Sequence, residues 1–357
     1  MKKKLLSLVL CLALVASLMV GCGTSSSGGK KVGVAMPTKD LQRWNQDGDN
    51  MKKSLEKAGY TVDLQYANND VQTQVSEIEN MITNGCNILV IASIDGGSLG
   101  TVLAKAKAKN IKVIAYDRLI MNTDAVSYYA TFDNFKVGVI QGQYLETKLD
   151  LKNAAGPFNI ELFAGSPDDN NATFFFNGAM SILKPYIDNG KLNVVSGQKE
   201  FKAVATQGWS TEEAQKRMEN LVTSYYTNGT KLDAVYSSND SCAIGITNAL
   251  VNAKFAAPNF PLLTGQDCDI TSMKNILAGT QSMSIFKDTR TLADQVVKMV
   301  TAIIEKKEVP VNDKDTYDNG KGKVPTFLCD PVFADKDNYK KLLIDSGYYT
   351  EDQLKSK

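Results

Sequence analysis

ILVIASI, residues 88–94, is apolar at almost every position. A half-buried strand alternates apolar and polar side chains, whereas an unbroken apolar run fits a strand covered on both faces, as in parallel sheets. Its neighbours have a different period. Residues 71–83 place Val75, Ile78, Met81 and Ile82 on one helical face and stop at Asn84-Gly85; residues 99–109 return as a helix and 111–116 (IKVIAY) as a strand. The alternation extends both ways. Upstream, 31–36 and 61–67 read as strands around a helix at 49–58 closed by Gly59. After Asp133 the spacing predicts helices at 137–148, 172–187, 211–226 and 242–253, interleaved with strands at 158–163, 192–195, 234–237 and 262–265. Strands alternating with helices of this length imply right-handed βαβ crossovers. Two successive runs predict an α/β protein of two doubly wound parallel-sheet lobes.

The chain has 357 residues, of which the first thirty stand apart. Lys2, Lys3 and Lys4 precede an apolar run from Leu5 to Val20, too short to span a bilayer comfortably and built like a secretory signal. Met19-Val20-Gly21-Cys22 has the form of a lipobox, with cleavage after Gly21 and lipid on Cys22. Residues 22–30 then form a Gly/Ser-rich flexible tether. A diacylglycerol supplies two acyl chains, enough for stable anchoring. The mature protein is expected outside the cytoplasm, anchored to the outer face of the cytoplasmic membrane. Without its signal the chain still exceeds the usual limit of a single core, so two domains are expected.

Forty basic side chains face 39 acidic ones, with no basic stripe beyond the signal, which argues against a nucleic-acid partner. Histidine is absent. Ser-His-Asp and Cys-His catalysis are therefore excluded, and the commonest zinc ligand is missing. Cys86, Cys242, Cys268 and Cys329 are scattered and read as buried thiols, although export would permit pairing. Asp313, Asp315 and Asp318 miss the spacing of a calcium loop and read as a solvated turn. No metal or cofactor is expected.

Parallel sheets bind ligands beyond the carboxyl ends of their strands. Those positions hold Thr38 and, further on, Arg43-Trp44; Asp117-Arg118; Asp168, Asp169, Asn170 and Asn171; Ser238, Asn239 and Asp240; and Gln266-Asp267. Singly, such residues are ordinary helix caps and turn formers. Together they place carboxylates, amides and guanidinium groups at one end of both lobes without a dominant charge, a set suited to a neutral polyhydroxylated ligand. Trp44 and Trp209, one in each half and both in loop-like stretches, offer flat faces for a sugar ring. Trp209 also precedes Ser210-x-x-Glu213, a capping box for which it would serve as hydrophobic staple. Phe174, Phe175 and Phe176 read mostly as helix core, with one ring available to the cleft.

The phrases QVSEIENMITNG, LVIASIDG, IKVIAYDRLI, YYATFDNFKVG, GSPDDNNA, ILKPYIDNGKL, SSND, TGQDCD and FKDT occur in this order between Lys31 and Leu354. In them the chain resembles bacterial substrate-binding proteins of the ribose/galactose/xylose type, particularly the xylose-binding and multiple-monosaccharide-binding receptors of ABC importers. The resemblance implies the type I periplasmic-binding-protein fold, with two lobes joined by three chain crossings. These fall near 132–134, 286–288 and 322–325, giving an N-terminal lobe of 31–133 plus 287–322 and a C-terminal lobe of 134–286 plus 323–357. It implies sugar contacts from Arg43, Trp44, Asp117 and Arg118 in the first lobe, and from Asn170 or Asn171, Trp209, Asn239 and Asp267 in the second. Lys287 lies at a crossing. Residues 199–207 have no clear counterpart in the family.

The resemblance thus implies a monomeric receptor that captures a xylose-, glucose-, galactose- or arabinose-type monosaccharide between closing lobes and delivers it to a permease and ATPase. A sensor feeding a chemoreceptor or membrane kinase could share this body. An enzyme using Asp117 and Asp267 as a carboxylate pair is a further reading that the absent histidine and mixed polar set disfavour. A repressor of this fold would need a helix-turn-helix where the lipobox stands.

Overall fold

A computed structural model describes residues 30–355; the signal sequence, Cys22 and most of the tether lie outside them. Two separate parallel sheets dominate. The first is assembled from β1 (Lys31–Met36), β2 (Thr61–Tyr66), β3 (Ile88–Ile91), β4 (Lys112–Tyr116) and β5 (Val126–Phe132), with helices α1 (Gln42–Lys57), α2 (Val71–Thr83) and α3 (Gly100–Ala108) between the first four strands. Its strand order is β11-β5-β4-β3-β1-β2, where β11 (Thr326–Cys329) arrives from near the C-terminus. All four residues of β3 are buried, as its continuous apolar run requires.

The second sheet begins after α4 (Asn134–Lys148). It contains β6 (Phe158–Phe163), β7 (Leu192–Val194), β8 (Ala234–Ser237) and β9 (Leu262–Leu263) in the order β7-β6-β8-β9. Around it run α5 (Asn170–Asp188), a short α6 (Phe201–Val204), α7 (Thr211–Leu221), α8 (Asp240–Asn252) and α9 (Ile270–Ala278). β10 (Met283–Phe286) and β12 (Val332–Asp335) pair antiparallel beside it. α10 (Thr289–Glu305) packs on the first lobe, where Leu292, Val296, Met299 and Val300 join the core of β1, β3 and α1. A terminal turn of helix, α11 (Glu351–Leu354), opens with a capping box at Thr350 and Gln353.

Several expectations are corrected. The third crossing is not at 322–325: Thr326 pairs with Tyr129 and Cys329 with Phe132, so the chain stays in the first sheet until Cys329 and changes lobe through Asp330-Pro331. The boundary drawn at 322/323 therefore moves to about residue 330. α1 starts at Gln42 rather than Asp49, which puts Trp44 in its first turn and not in a loop; its N-cap, Leu41, offers no capping side chain to mark the start. β5 is a strand that the sequence pattern did not separate from its surroundings. Residues 199–207 form α6 and lead into a 3-10 turn at Gln207–Trp209.

α4 and α5 cross at glycines. A Cβ at Gly138 would lie 1.9 Å from the Phe175 carbonyl oxygen, and one at Gly178 would lie 2.1 Å from that of Phe135. Only residues without side chains permit so close a backbone approach. The crossing fixes the start of α5, which carries Asn171 and Phe175 to the cleft.

Candidate functional site

The carboxyl ends of both sheets converge on one cavity. Arg43 and Trp44 enter it from α1, Asp117 and Arg118 from the turn after β4, and Asn171 and Phe175 from α5. Trp209, Asn239 and Asp267 come from the turns preceding α7, α8 and α9, and Lys287 from the strand-to-helix link after β10. Of the residues to which the resemblance assigns sugar contacts, Asn170 alone stays outside the lining, and its neighbour Asn171 is the buried member of the pair; of the other strand-end residues, Thr38, Asp168, Ser238 and Asp240 also lie outside it. Asn171 takes a hydrogen bond from Asn134 and donates to the main-chain oxygen of Asp117 at 2.7 Å, joining the lobes.

Charge organises the centre. Arg43 pairs through Nε with Asp47 at 2.8 Å, through Nη2 with Asp117, and through Nη1 with Asp267 at 3.1 Å. Lys287 also reaches Asp267 at 3.1 Å, and Arg118 pairs with Asp169 at 3.0 Å. Arg43 and Arg118 flank the Trp44 ring, with guanidinium carbons 5.4 and 5.1 Å from its centroid. Three cations thus share the lining with four carboxylates, Asp117, Asp169, Asp267 and Asp269.

That imbalance shapes proton affinity. Burial pushes the Asp117 carboxyl up, but Arg43, Lys287 and Arg118 outweigh it and hold it below the usual range. Asp169 is raised by burial, against the pull of Arg118. Asp269 is pushed up to about 7 by burial and by Asp267. Behind it, burial together with Asp269 and Asp267 lifts Asp240 well above the carboxylate range. Burial likewise brings Asp47 to about 6.

A carboxyl raised in the folded state keeps its proton where the unfolded chain has lost it, so stability is greater at mildly acidic pH and declines as pH rises through the folded value. The chain has no histidine to titrate in that window. The melting temperature is expected to be several degrees higher at about pH 5.5 than at about pH 8. A flat or inverted profile in calorimetry would contradict this assignment.

Three residues of the lining adopt an uncommon backbone conformation. Asp117, Trp209 and Asp267 have φ of 57°, 58° and 100°, in the left-handed region that non-glycine residues seldom occupy. Trp209 lies so close to Gly165 that a Cβ there would stand 1.9 Å from the indole. It meets Phe175 edge to face with centroids 6.2 Å apart. Ser210 caps α7 by accepting from the Glu213 amide at 3.2 Å.

Asp169 and Gln266, from the wider strand-end set, and Phe175, the ring that faces the cleft, join the lining with Asp269, Ser241 and Leu41, which the sequence did not single out. Asp169 and Asn239 also cap α5 and α8, so their local role hides the second one. Asp269 occupies the N-cap position of α9 without capping it. Its Oδ1, the Oε1 of Gln266 and the indole N–H of Trp209 are buried without a protein hydrogen-bond partner.

Other candidates behave as plain structure. The four described cysteines are buried and unpaired. Asp313 accepts from the amides of Asp315 and Thr316, closing a turn. Among the described residues no group of His, Cys, Asp or Glu is arranged to hold a metal ion, and no helix is long and apolar enough to cross a membrane.

Residues 32–308 match the periplasmic binding protein domain family. The chain is 51% identical over 355 residues to the multiple sugar-binding periplasmic receptor ChvE of Rhizobium radiobacter, covering 99% of this chain and all of that one. It is 38% identical to the D-xylose-binding periplasmic protein of Escherichia coli, over 99% of this chain and all of the relative. A crystal structure of an ABC transporter solute-binding protein from Clostridium phytofermentans, with β-D-glucose bound, is 69% identical and superposes with a TM-score of 0.89 over 91% of this chain and all of that one.

Proposed function

The chain belongs to the periplasmic binding protein family, and on that premise we propose that it is an extracytoplasmic receptor that encloses one neutral monosaccharide between its lobes and delivers it to an ABC importer. The observation that carries this reading is the unfilled hydrogen-bonding capacity of the cavity. Buried polar atoms without partners are costly, by about 1–3 kcal/mol each. The Trp209 N–H, Gln266 Oε1 and Asp269 Oδ1 are such atoms, and the hydroxyls of a sugar can both donate and accept. The mixture of cations and carboxylates suits these hydroxyls better than it suits an ion. The three relatives bind D-xylose, several sugars or β-D-glucose; glucose, xylose, galactose and arabinose are the ligands to try first.

In this reading Arg43, Trp44, Asp117 and Arg118 receive the sugar from the first lobe, and Asn171, Trp209, Asn239 and Asp267 from the second. Lys287 stands at the crossing between them. No side chain is assigned a catalytic step. Direct lobe-to-lobe bonds, Arg43–Asp267 and Arg118–Asp169 among them, fit a clamp that closes about the crossings at 132–134, 286–288 and Asp330-Pro331. Calorimetry across the four sugars should find at least one tight ligand. Scattering should then show a smaller radius of gyration on its addition, because only the closed form offers both sets of contacts. Tight binding with an unchanged profile would rule out the clamp; no binding of any of the four would rule out the ligand class.

Lipid on Cys22 and the tether would hold this receptor on the outer face of the cytoplasmic membrane. A Cys22→Ala chain is expected in the soluble fraction with unchanged sugar affinity. Its retention on membranes would refute the lipobox.

A further inference from the structure

Asp47 lies directly behind the cavity but does not line it. It is fully buried on the second turn of α1, four residues after Arg43. One carboxylate oxygen accepts from Arg43 Nε at 2.8 Å, and the other accepts from the Tyr116 hydroxyl. Tyr116 is the last residue of β4, and the next residue, Asp117, accepts from Arg43 Nη2. The contacts therefore close a ring, Asp47–Arg43–Asp117–Tyr116, lying wholly within the first lobe. The ring uses Nε and Nη2 and leaves Nη1 for Asp267 of the second lobe.

A guanidinium is planar, so fixing two of its three nitrogens fixes the direction of the third. Without Asp47, Arg43 would keep its charge but could rotate about Nε. We infer that Asp47 is a positioning residue: it sets the plane of Arg43 before the lobes close, so that the first lobe offers a preformed half-site. Preforming a contact removes ordering entropy that binding would otherwise have to offset. This inference rests on Arg43 being a ligand contact.

The test is a double-mutant cycle with D-glucose and D-xylose as probes, read by calorimetry. Asp47→Asn keeps the shape and removes the charge. It is expected to weaken binding by about 10- to 30-fold in the native chain, but by less than about twofold in an Arg43→Lys background, where no planar group remains to be aimed. A residue needed only for packing would weaken binding by the same factor in both backgrounds, and that outcome overturns the inference. So does an Asp47→Asn variant that binds within about twofold of the native chain. Should Asp47→Asn fail to fold, Tyr116→Phe breaks the ring more gently and enters the same cycle, with an expected loss of about 3- to 10-fold that disappears with Arg43→Lys. Failure of the native chain to bind either sugar would instead count against the proposed ligand, and with it against the inference that rests on that ligand.

Discussion

Replacing Asp117 with Asn is expected to weaken sugar binding by about a hundredfold while shifting the melting temperature of the ligand-free protein by no more than a few degrees. Asp117 is the carboxylate on which the first-lobe site centres, paired with Arg43 and within 3.9 Å of Lys287. Hydrogen bonds to a charged group contribute about 1.5–3 kcal/mol, and a hundredfold corresponds to about 2.7 kcal/mol. Asparagine is the informative substitute because it tolerates the left-handed backbone at this position better than alanine does. The fold loses little by the change. The main-chain oxygen of Asp117 still accepts from Tyr129, Thr131 and Asn171, Arg43 retains Asp47 and Asp267, and Lys287 retains Asp267. Calorimetric titration paired with a thermal melt separates the two roles. Affinity preserved alongside a melting point many degrees lower would make Asp117 a structural strut.

A large loss of stability is expected from Gly178→Ala. The new Cβ would meet the Phe135 carbonyl oxygen at 2.1 Å, the Val139 nitrogen at 3.0 Å and the Gly138 Cα at 3.1 Å. Every one of these is backbone, so no side chain can turn aside and the helices must part. Alanine's better helix propensity returns about 1 kcal/mol. Overpacking of a close contact typically costs about 1–3 kcal/mol and sometimes more; with no flexible neighbour to yield, the net loss should reach about 3 kcal/mol. For a body of this size that corresponds to a melting point roughly 4–5 °C lower. Sugar affinity should fall as well, since α5 carries Asn171 and Phe175. A variant that melts within a degree or two of the native chain would show that the helices slide apart without penalty.

The elements legible in the sequence were those whose period matches their burial. β1, α2 and β6 fall where apolar spacing puts them, because each shows one clean pattern between recognisable stops. The start of α1 is hidden because Leu41 gives no capping signal, and β5 because residues 126–132, VSYYATF, mix three aromatic, two aliphatic and two hydroxyl side chains without a clean alternation. The last strand of the first sheet lies far along the chain from its neighbour, and no local pattern reports pairing over such a distance. Within the cavity, the arginines, tryptophans and Asp117 stood out because few structural duties explain them at strand ends. Asp269 did not, and Asp169 only as one of a group, since an aspartate before a helix reads first as a cap; only the three-dimensional contacts distinguish the one that caps from the one that does not.

The late arrival of β11 has a consequence for how the protein is made. β5 is complete at Phe132, yet the strand that covers its outer side begins at Thr326. During synthesis the first lobe must wait, with an apolar sheet edge bare, until almost the whole polypeptide has emerged. Uncovered edges of this kind invite pairing with other chains, and contacts so distant in sequence form slowly. A ribosome that stalls after the second lobe therefore releases a sticky fragment in place of half a receptor. Were the chain to cross a membrane unfolded, the same delay would be an asset: the domain that would fold first is the one that cannot be finished until the end.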